Sequence, residues 1–306
     1  MMRHIILFKL FFYSIFLSAQ DQNYIVVLGN VQDAGIPHIG CKKDCCLSLT
    51  HQQKRILKIT SLALVDKSES KHYLFEASND ITDQLNFFDQ ITNNNSKLAG
   101  IFLTHAHMGH YGGLLQFGRE AMGAKNIPVF VMPKMSEFLK NNAPWSQLVN
   151  LKNIKLEPLI ENQSMRVSSK LHVSSITVPH RDEFSETVGF FIKGPSKTAF
   201  FLPDIDKWGK WDKSLIEILR KVDYAFIDGT FYDSAEINYR DISEIPHPFV
   251  IETMNHLSNL PLKERKKVFF IHMNHTNGML NPNSQITKDV LSKGFQIARF
   301  GMQFPL

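Results

Sequence analysis

Apolar and polar runs alternate along the chain in a pattern of short strands with helices between them. Tyr24 to Leu28, Ser61 to Val65, His72 to Glu76 and Leu98 to Leu103 are apolar runs of strand length. The polar turn Asp66 to Lys71 makes a hairpin of the second and third. Asp80 to Ile91 carries Leu85, Phe88 and Ile91 at helical spacing, and Asn93-Asn94-Asn95-Ser96 ends it. Helical spacing recurs from Gly112 to Gly123, and Lys134 to Asn141 reads as a short helix opened by Pro133. Further strand-like runs are Val129 to Met132, Ile154 to Ile160, Leu171 to Val178, Val188 to Ile192, Ala199 to Leu202, Tyr224 to Ile227 and Val268 to Ile271. Lys213 to Lys221, Pro248 to Asn259 and Asn283 to Lys293 are helical pieces between some of them. Strands in two groups, interspersed helices and no low-complexity linker predict α/β layers, with residues 24–306 as a single domain.

Composition narrows the function classes. A chain of 306 residues, 43% of them hydrophobic, can bury a full core. The net charge of +5 is modest, and the densest basic run, Lys263-Glu264-Arg265-Lys266-Lys267, is broken by an acid. It reads as a solvated helix end. With no Arg-rich stripe interleaved with aromatics, nucleic acid is disfavoured as a partner and a small-molecule substrate is expected. Oligomeric state is not encoded in any visible pattern. At the N-terminus, Met1-Met2-Arg3-His4 precedes an apolar Ile5 to Leu17, and Leu17-Ser18-Ala19-Gln20 offers a cleavage point after Ala19. Residues 1–19 read as a signal peptide, so export to the periplasm or the extracellular space is expected, with no stable membrane span once it is removed. Cys41, Cys45 and Cys46 are too few and too close for a disulfide framework, and adjacent cysteines rarely meet disulfide geometry.

The candidate chemistry gathers on Thr104-His105-Ala106-His107-Met108-Gly109-His110-Tyr111-Gly112-Gly113, a turn between a strand end and a helix start. Three imidazoles at this spacing can be aimed at one point, and imidazole is a good zinc ligand. Thr104 and Tyr111 read as packing and turn residues. Other apolar strands end in a metal-type residue: Ile176-Thr177-Val178-Pro179 runs into His180, and Phe200-Phe201-Leu202-Pro203 into Asp204. Phe269-Phe270-Ile271 runs into His272, with His275 three further on, and Tyr224-Ala225-Phe226-Ile227 into Asp228. Strand ends of an α/β sheet deliver ligands to one edge in this way.

On His105-Ala106-His107-Met108-Gly109-His110 followed in order by His180, Asp204 and His272, the chain resembles the metallo-β-lactamase-fold superfamily. The resemblance covers essentially the whole mature chain. It implies an αββα sandwich of two mixed sheets in pseudo-repeated halves, with one or two metals at one edge. Carried over, His105, His107 and His180 hold the first metal, Asp204 bridges, and His110 and His272 hold the second. The superfamily usually has Asp before the third histidine, where this chain has Gly109. The second position is then one oxygen ligand short, so His275, Asp206 or Asp228 is expected to compensate, or the site to be mononuclear or asymmetric.

Within the superfamily the chain is similar to the pyrroloquinoline-quinone biosynthesis B group. The shared elements are the Leu28-Gly29 strand end, the cysteine cluster, Asp228-Gly229-Thr230-Phe231 and His272-Met273-Asn274-His275-Thr276-Asn277. That group carries cysteines at the same place, which suggests a structural zinc on Cys41, Cys45 and Cys46 with His51 or His38 as fourth ligand.

The expected activity is that of a zinc-dependent metallo-hydrolase, with one or two zinc ions or else iron or manganese. A metal-bound hydroxide would attack an ester, amide, lactone or phosphoester of a small molecule. Asp204 would accept the water's proton, and His275 or His247 would protonate the leaving group. Asp228 would fix the tautomer of a histidine ligand. The alternatives are an iron-dependent oxidative enzyme of the biosynthesis B type and a non-catalytic metal-dependent carrier. Trp145 is expected to pack, while Trp208 and Trp211 stay open between packing and walling a pocket.

Overall fold

The computed structural model describes residues 22–181, 183–237 and 244–306, so the leader expected at 1–19 lies outside the described residues. Six strands build most of the first sheet: β1 (Tyr24–Gly29), β2 (Ser61–Asp66), β3 (Lys71–Phe75), β4 (Lys97–Phe102), β5 (Ile127–Val131) and β6 (Ile154–Pro158). The second sheet holds β7 (Met165–Arg166), β8 (His172–Thr177), β9 (Val188–Lys193), β10 (Thr198–Leu202), β11 (Tyr224–Asp228), β12 (Val268–Ile271) and β13 (Gln296–Ile297). A last strand, β14 (Gln303–Pro305), returns to the first sheet, giving the orders β14-β1-β2-β3-β4-β5-β6 and β13-β12-β11-β10-β9-β8-β7.

The strands read as continuous apolar runs because both faces of each sheet are covered. In β1, Ile25 and Val27 point into the core between the sheets, together with Phe75, Phe102, Phe190, Phe201 and Phe226. Val26 and Leu28 point the other way, onto helical residues such as Phe88, Leu139 and Leu148. The outer face of the second sheet, with Phe200, Leu202 and Phe270, is covered by Leu215, Val250, Met254 and Val290 of its own helices. The layers are helix, sheet, sheet, helix, an αββα sandwich.

Strand direction fixes where the polar strand ends meet. β3 to β6 run parallel, and β1 runs with them because it is antiparallel to β2, itself antiparallel to β3. In the other sheet β10 to β13 are parallel, and β8 joins them through antiparallel β9. Their carboxyl ends share one edge, where the two sheets are also tied by backbone. Val31 pairs with Met273, Gln32 N–H donates to Met273 O at 2.9 Å, and Met273 N–H donates to Asn30 O at 2.8 Å.

Several elements differ from the sequence reading. The helix expected over Gly112 to Gly123 is a one-turn helix Met108–Tyr111 followed by a 3-10 segment that stops at Phe117. Its backbone is pinned by close approach, since a Cβ on Gly113 would lie 2.0 Å from Ser78 O. Short helices also form at Asp44–Leu47, His51–Ile56 and Trp145–Asn150, in stretches without a clear apolar period. Trp145 packs on Tyr111 and Phe138 as expected. Trp208 donates to Thr253 Oγ1, and Trp211 to Thr177 O. Among the described residues no helix is long and apolar enough to cross a membrane.

Candidate metal centre

At the shared edge the predicted residues come together in two adjoining clusters with Asp204 common to both. His105, His107, His180 and Asp204 form one, and Asp33, His110, Asp204 and His272 the other. Each cluster draws two residues from loops of either sheet. In the first, His105 Nε2 lies 2.8 Å from His107 Nδ1 and 3.4 Å from Asp204 Oδ2, while His180 Nε2 lies 3.2 Å from Asp204 Oδ1. In the second, Asp33 Oδ1 is 2.8 Å from both His110 Nε2 and His272 Nε2. Asp204 Oδ2 stands 3.6 Å from His110 Nε2 and 3.8 Å from His272 Nε2. Zinc–ligand bonds of about 2.0–2.1 Å put tetrahedral ligand atoms about 3.4 Å apart, the scale of these separations.

The unpaired atoms carry the same signature. His110 Nδ1 and Nε2, His180 Nε2 and Asp204 Oδ1 are buried without a hydrogen-bond partner among the described residues. Stranding such atoms costs about 1–3 kcal/mol each unless something else accepts their lone pairs. A cation placed among them fits that donor set.

A second set of contacts turns the rings. Nδ1 of His105 faces Thr104 Oγ1 at 2.8 Å, that of His180 faces Asp206 Oδ1 at 3.2 Å, and that of His272 faces Thr230 Oγ1 at 3.0 Å. His110 Nδ1 faces the buried Glu76 Oε1 at 3.4 Å. Each contact leaves Nε2 toward the cluster, the arrangement by which outer partners orient histidine ligands. Thr104, read from sequence as packing, thus positions a ring. Glu76 was missed, although it ends an apolar strand run just as Asp204 follows one. Glu76 and His272 also hold left-handed backbone, at φ 78° and 63°, a conformation that costs non-glycine residues about 1–3 kcal/mol and persists only where surroundings impose it. Glu76→Gln is expected to lower metal affinity about 10–100-fold with the fold retained, checked by competition titration against a chromogenic chelator.

Electrostatics match these roles except at His110, which, against its burial, Asp33 and Glu76 raise well above the usual imidazole range, so a cation there must displace a proton. Burial and the neighbouring His110 hold His105 well below the usual imidazole range, and burial takes His107 down to about 4, so both are neutral donors near pH 7. Burial opposes ionisation of Asp33, but His110 and His272 outweigh it and keep its carboxyl well below the usual range. Burial likewise opposes Asp204, which His180, His247 and His272 hold ionised. Against its burial, Asp228 and Asp204 raise His247 to about 10.

Some expectations change. The carboxylate of the second cluster is Asp33, not Asp206 or Asp228, and His275 is not in it. Asp206 supports His180, while Asp228 Oδ2 lies 2.8 Å from His247 Nδ1. His275 turns away from His272 and joins Cys41, Cys45 and Cys46, with one ligand atom of each within 4.8 Å of the others. It replaces both expected fourth partners: His51 is exposed at a helix start, and the His38 ring stacks on His275 at 4.4 Å. Burial and the adjacent Cys46 push the Cys45 thiol up to about 12, so a cation there must displace protons. His247, Asp204 and Asp228 meet in a third buried group beside the metal clusters. A cleft of about 280 Å³ opens there, lined by Gln32, Arg181, Phe231, His247, Asn274 and His275, and by no tryptophan.

Comparison with known proteins agrees with this architecture. The coenzyme PQQ synthesis protein B of Klebsiella pneumoniae subsp. pneumoniae is 25% identical over 312 residues, covering 92% of this chain and 98% of its own. The Zn(2+)-bound PqqB of Methylobacterium extorquens superposes with a TM-score of 0.73 at 19% identity, over 92% of this chain and 100% of its own. A diphosphatase of the PhnP family gives a TM-score of 0.62 at 20% identity, over 93% and 99%. The family model described as the beta-lactamase superfamily domain matches residues 71–273, from β3 through His272, and the chain belongs to that superfamily.

Proposed function

We propose that this protein is a zinc-dependent hydrolase acting on an ester, amide, lactone or phosphoester bond of a small molecule. The observation that carries the reading is the pair of clusters sharing Asp204, with a third carboxylate–histidine group opening onto a cleft beside them. His105, His107, His180 and Asp204 would hold the first cation, and Asp33, His110, Asp204 and His272 the second. When bound, zinc polarises a substrate oxygen and brings the pKa of a coordinated water to about 7.

The chain's own residues supply orientation and proton transfer. Asp204, the carboxylate common to both clusters, would accept the attacking water's proton or hold the hydroxide in line. His247 Nδ1 is engaged by Asp228 at 2.8 Å and Asp204 at 3.1 Å, which leaves Nε2 for the cleft the ring lines. There it protonates the leaving group. Asp228 is itself fixed by Thr230, whose N–H donates at 2.9 Å and whose hydroxyl donates at 2.7 Å. His275 serves the thiol cluster rather than the proton transfer.

The test is a panel of generic esters, lactones and phosphodiesters with the zinc-loaded protein. His247→Ala is expected to lower kcat about a hundredfold with metal content unchanged, the usual range for a lost general acid. Unchanged kcat would remove His247 from the reaction. A second reading is an iron-dependent oxidative enzyme, favoured by relatives named for coenzyme PQQ synthesis over 92% of the chain. Imidazole and carboxylate ligands suit iron as well as zinc. Iron after native purification, with oxygen consumption and no turnover on the panel, would support that reading against hydrolysis.

A further inference from the structure

We infer that Asp33 and Gly109 form an interlocked pair: the second metal position takes its carboxylate from the loop after β1, and only glycine at 109 leaves room for it. A Cβ built on Gly109 would lie 2.3 Å from Asp33 Cα, 2.5 Å from its Cβ and 2.8 Å from its Cγ. These are distances that no side chain survives without displacing the loop. Asp33 thus fills the volume a side chain at 109 would take. From there its Oδ1 reaches His110 and His272, which follow strands of different sheets, at 2.8 Å apiece. The side chain is only 13% exposed. Neither histidine-rich segment has another carboxylate in that place.

The loop is carried there by backbone bonds, not by its local sequence. Val31 pairs with Met273, the residue after His272, and Gly35 N–H donates to Gln32 O at 2.8 Å to turn the chain around Asp33. The second position therefore depends on the seating of residues 30–35, whereas the first needs only His105, His107, His180 and Asp204. The assignment requires a cation at this position but no particular reaction.

Zinc per chain is the direct readout, measured after loading and desalting, with anomalous scattering to locate each ion. Asp33→Ala is expected to hold about one equivalent less than the unsubstituted protein, with the first cluster still occupied. Gly109→Ala removes no ligand atom, yet it is expected to lose the same equivalent. The exchange variant Asp33→Gly with Gly109→Asp, which moves the carboxylate across the gap, is expected to regain it. Full zinc content in folded Asp33→Ala, or in folded Gly109→Ala, overturns the assignment. If Gly109→Ala does not fold, Asp33→Ala and the exchange variant still decide it. No turnover on the ester, lactone and phosphodiester panel by the fully zinc-loaded unsubstituted protein would overturn the hydrolytic reading alone, while zinc content in the variants still decides this pair.

Discussion

Asp204→Ala is expected to empty both metal clusters and to lower turnover by about three orders of magnitude or more, the scale of losing several kcal/mol of Lewis-acid stabilisation. Among the described residues, no other side chain stands among so many candidate ligands. Its two oxygens lie within 3.8 Å of ring nitrogens from His105, His110, His180, His247 and His272. Without it, those rings face one another in a buried space with one carboxylate fewer to balance any cation or proton they hold. Asp204→Asn keeps the shape but loses the charge, and is expected to retain weak binding at the first cluster only. Elemental analysis and kcat on the same preparations check both variants. Full zinc content in Asp204→Ala would mean that Asp204 is not a ligand on which either cluster depends.

The second large effect is expected on stability. Cys46 is buried, and its Sγ accepts a hydrogen bond from His38 N–H at 3.3 Å. The thiol cluster joins the 41–46 segment to His275 across the two sheets. A bound cation at a thousandfold excess over its dissociation constant stabilises by about 4 kcal/mol, worth about 8 °C in a chain of this size. Cys46→Ala is expected to lower Tm by about that much. His275→Ala is expected to do the same, because it removes the fourth ligand atom. Thermal melts with and without added zinc check this. The cysteines are not a metal staple if zinc raises the Tm of the unsubstituted protein and both variants equally.

How much of this was legible in the sequence depended on what kind of signal each residue left. His105, His107, His110, His180, Asp204 and His272 each follow an apolar strand, and a parallel sheet with covered faces delivers such residues to one edge. That is a local pattern with a global consequence. Asp33 follows a strand too, but four residues later and through a glycine-bearing loop. Its place is set by the pairing of Val31 with Met273, which no local periodicity encodes. His275 shows the limit of spacing: three residues past His272 in a turn, its ring goes to the thiols. The helix read over Gly112 to Gly123 stops at Phe117, where Gly118 turns to extended backbone (φ −65°, ψ 170°), a local choice that apolar spacing does not encode.

The seam between the halves has a thermodynamic corollary. Both histidine–carboxylate clusters, and the thiol cluster with them, take members from either sheet, so each bound cation would act as a rivet through the laminate. Chelation should therefore loosen one rim of the molecule while the opposite rim, far from the strand tips, keeps its protection. Amide exchange of the stripped protein would then speed up at residues 30–46, 104–110 and 272–277 before it does in the strands behind them.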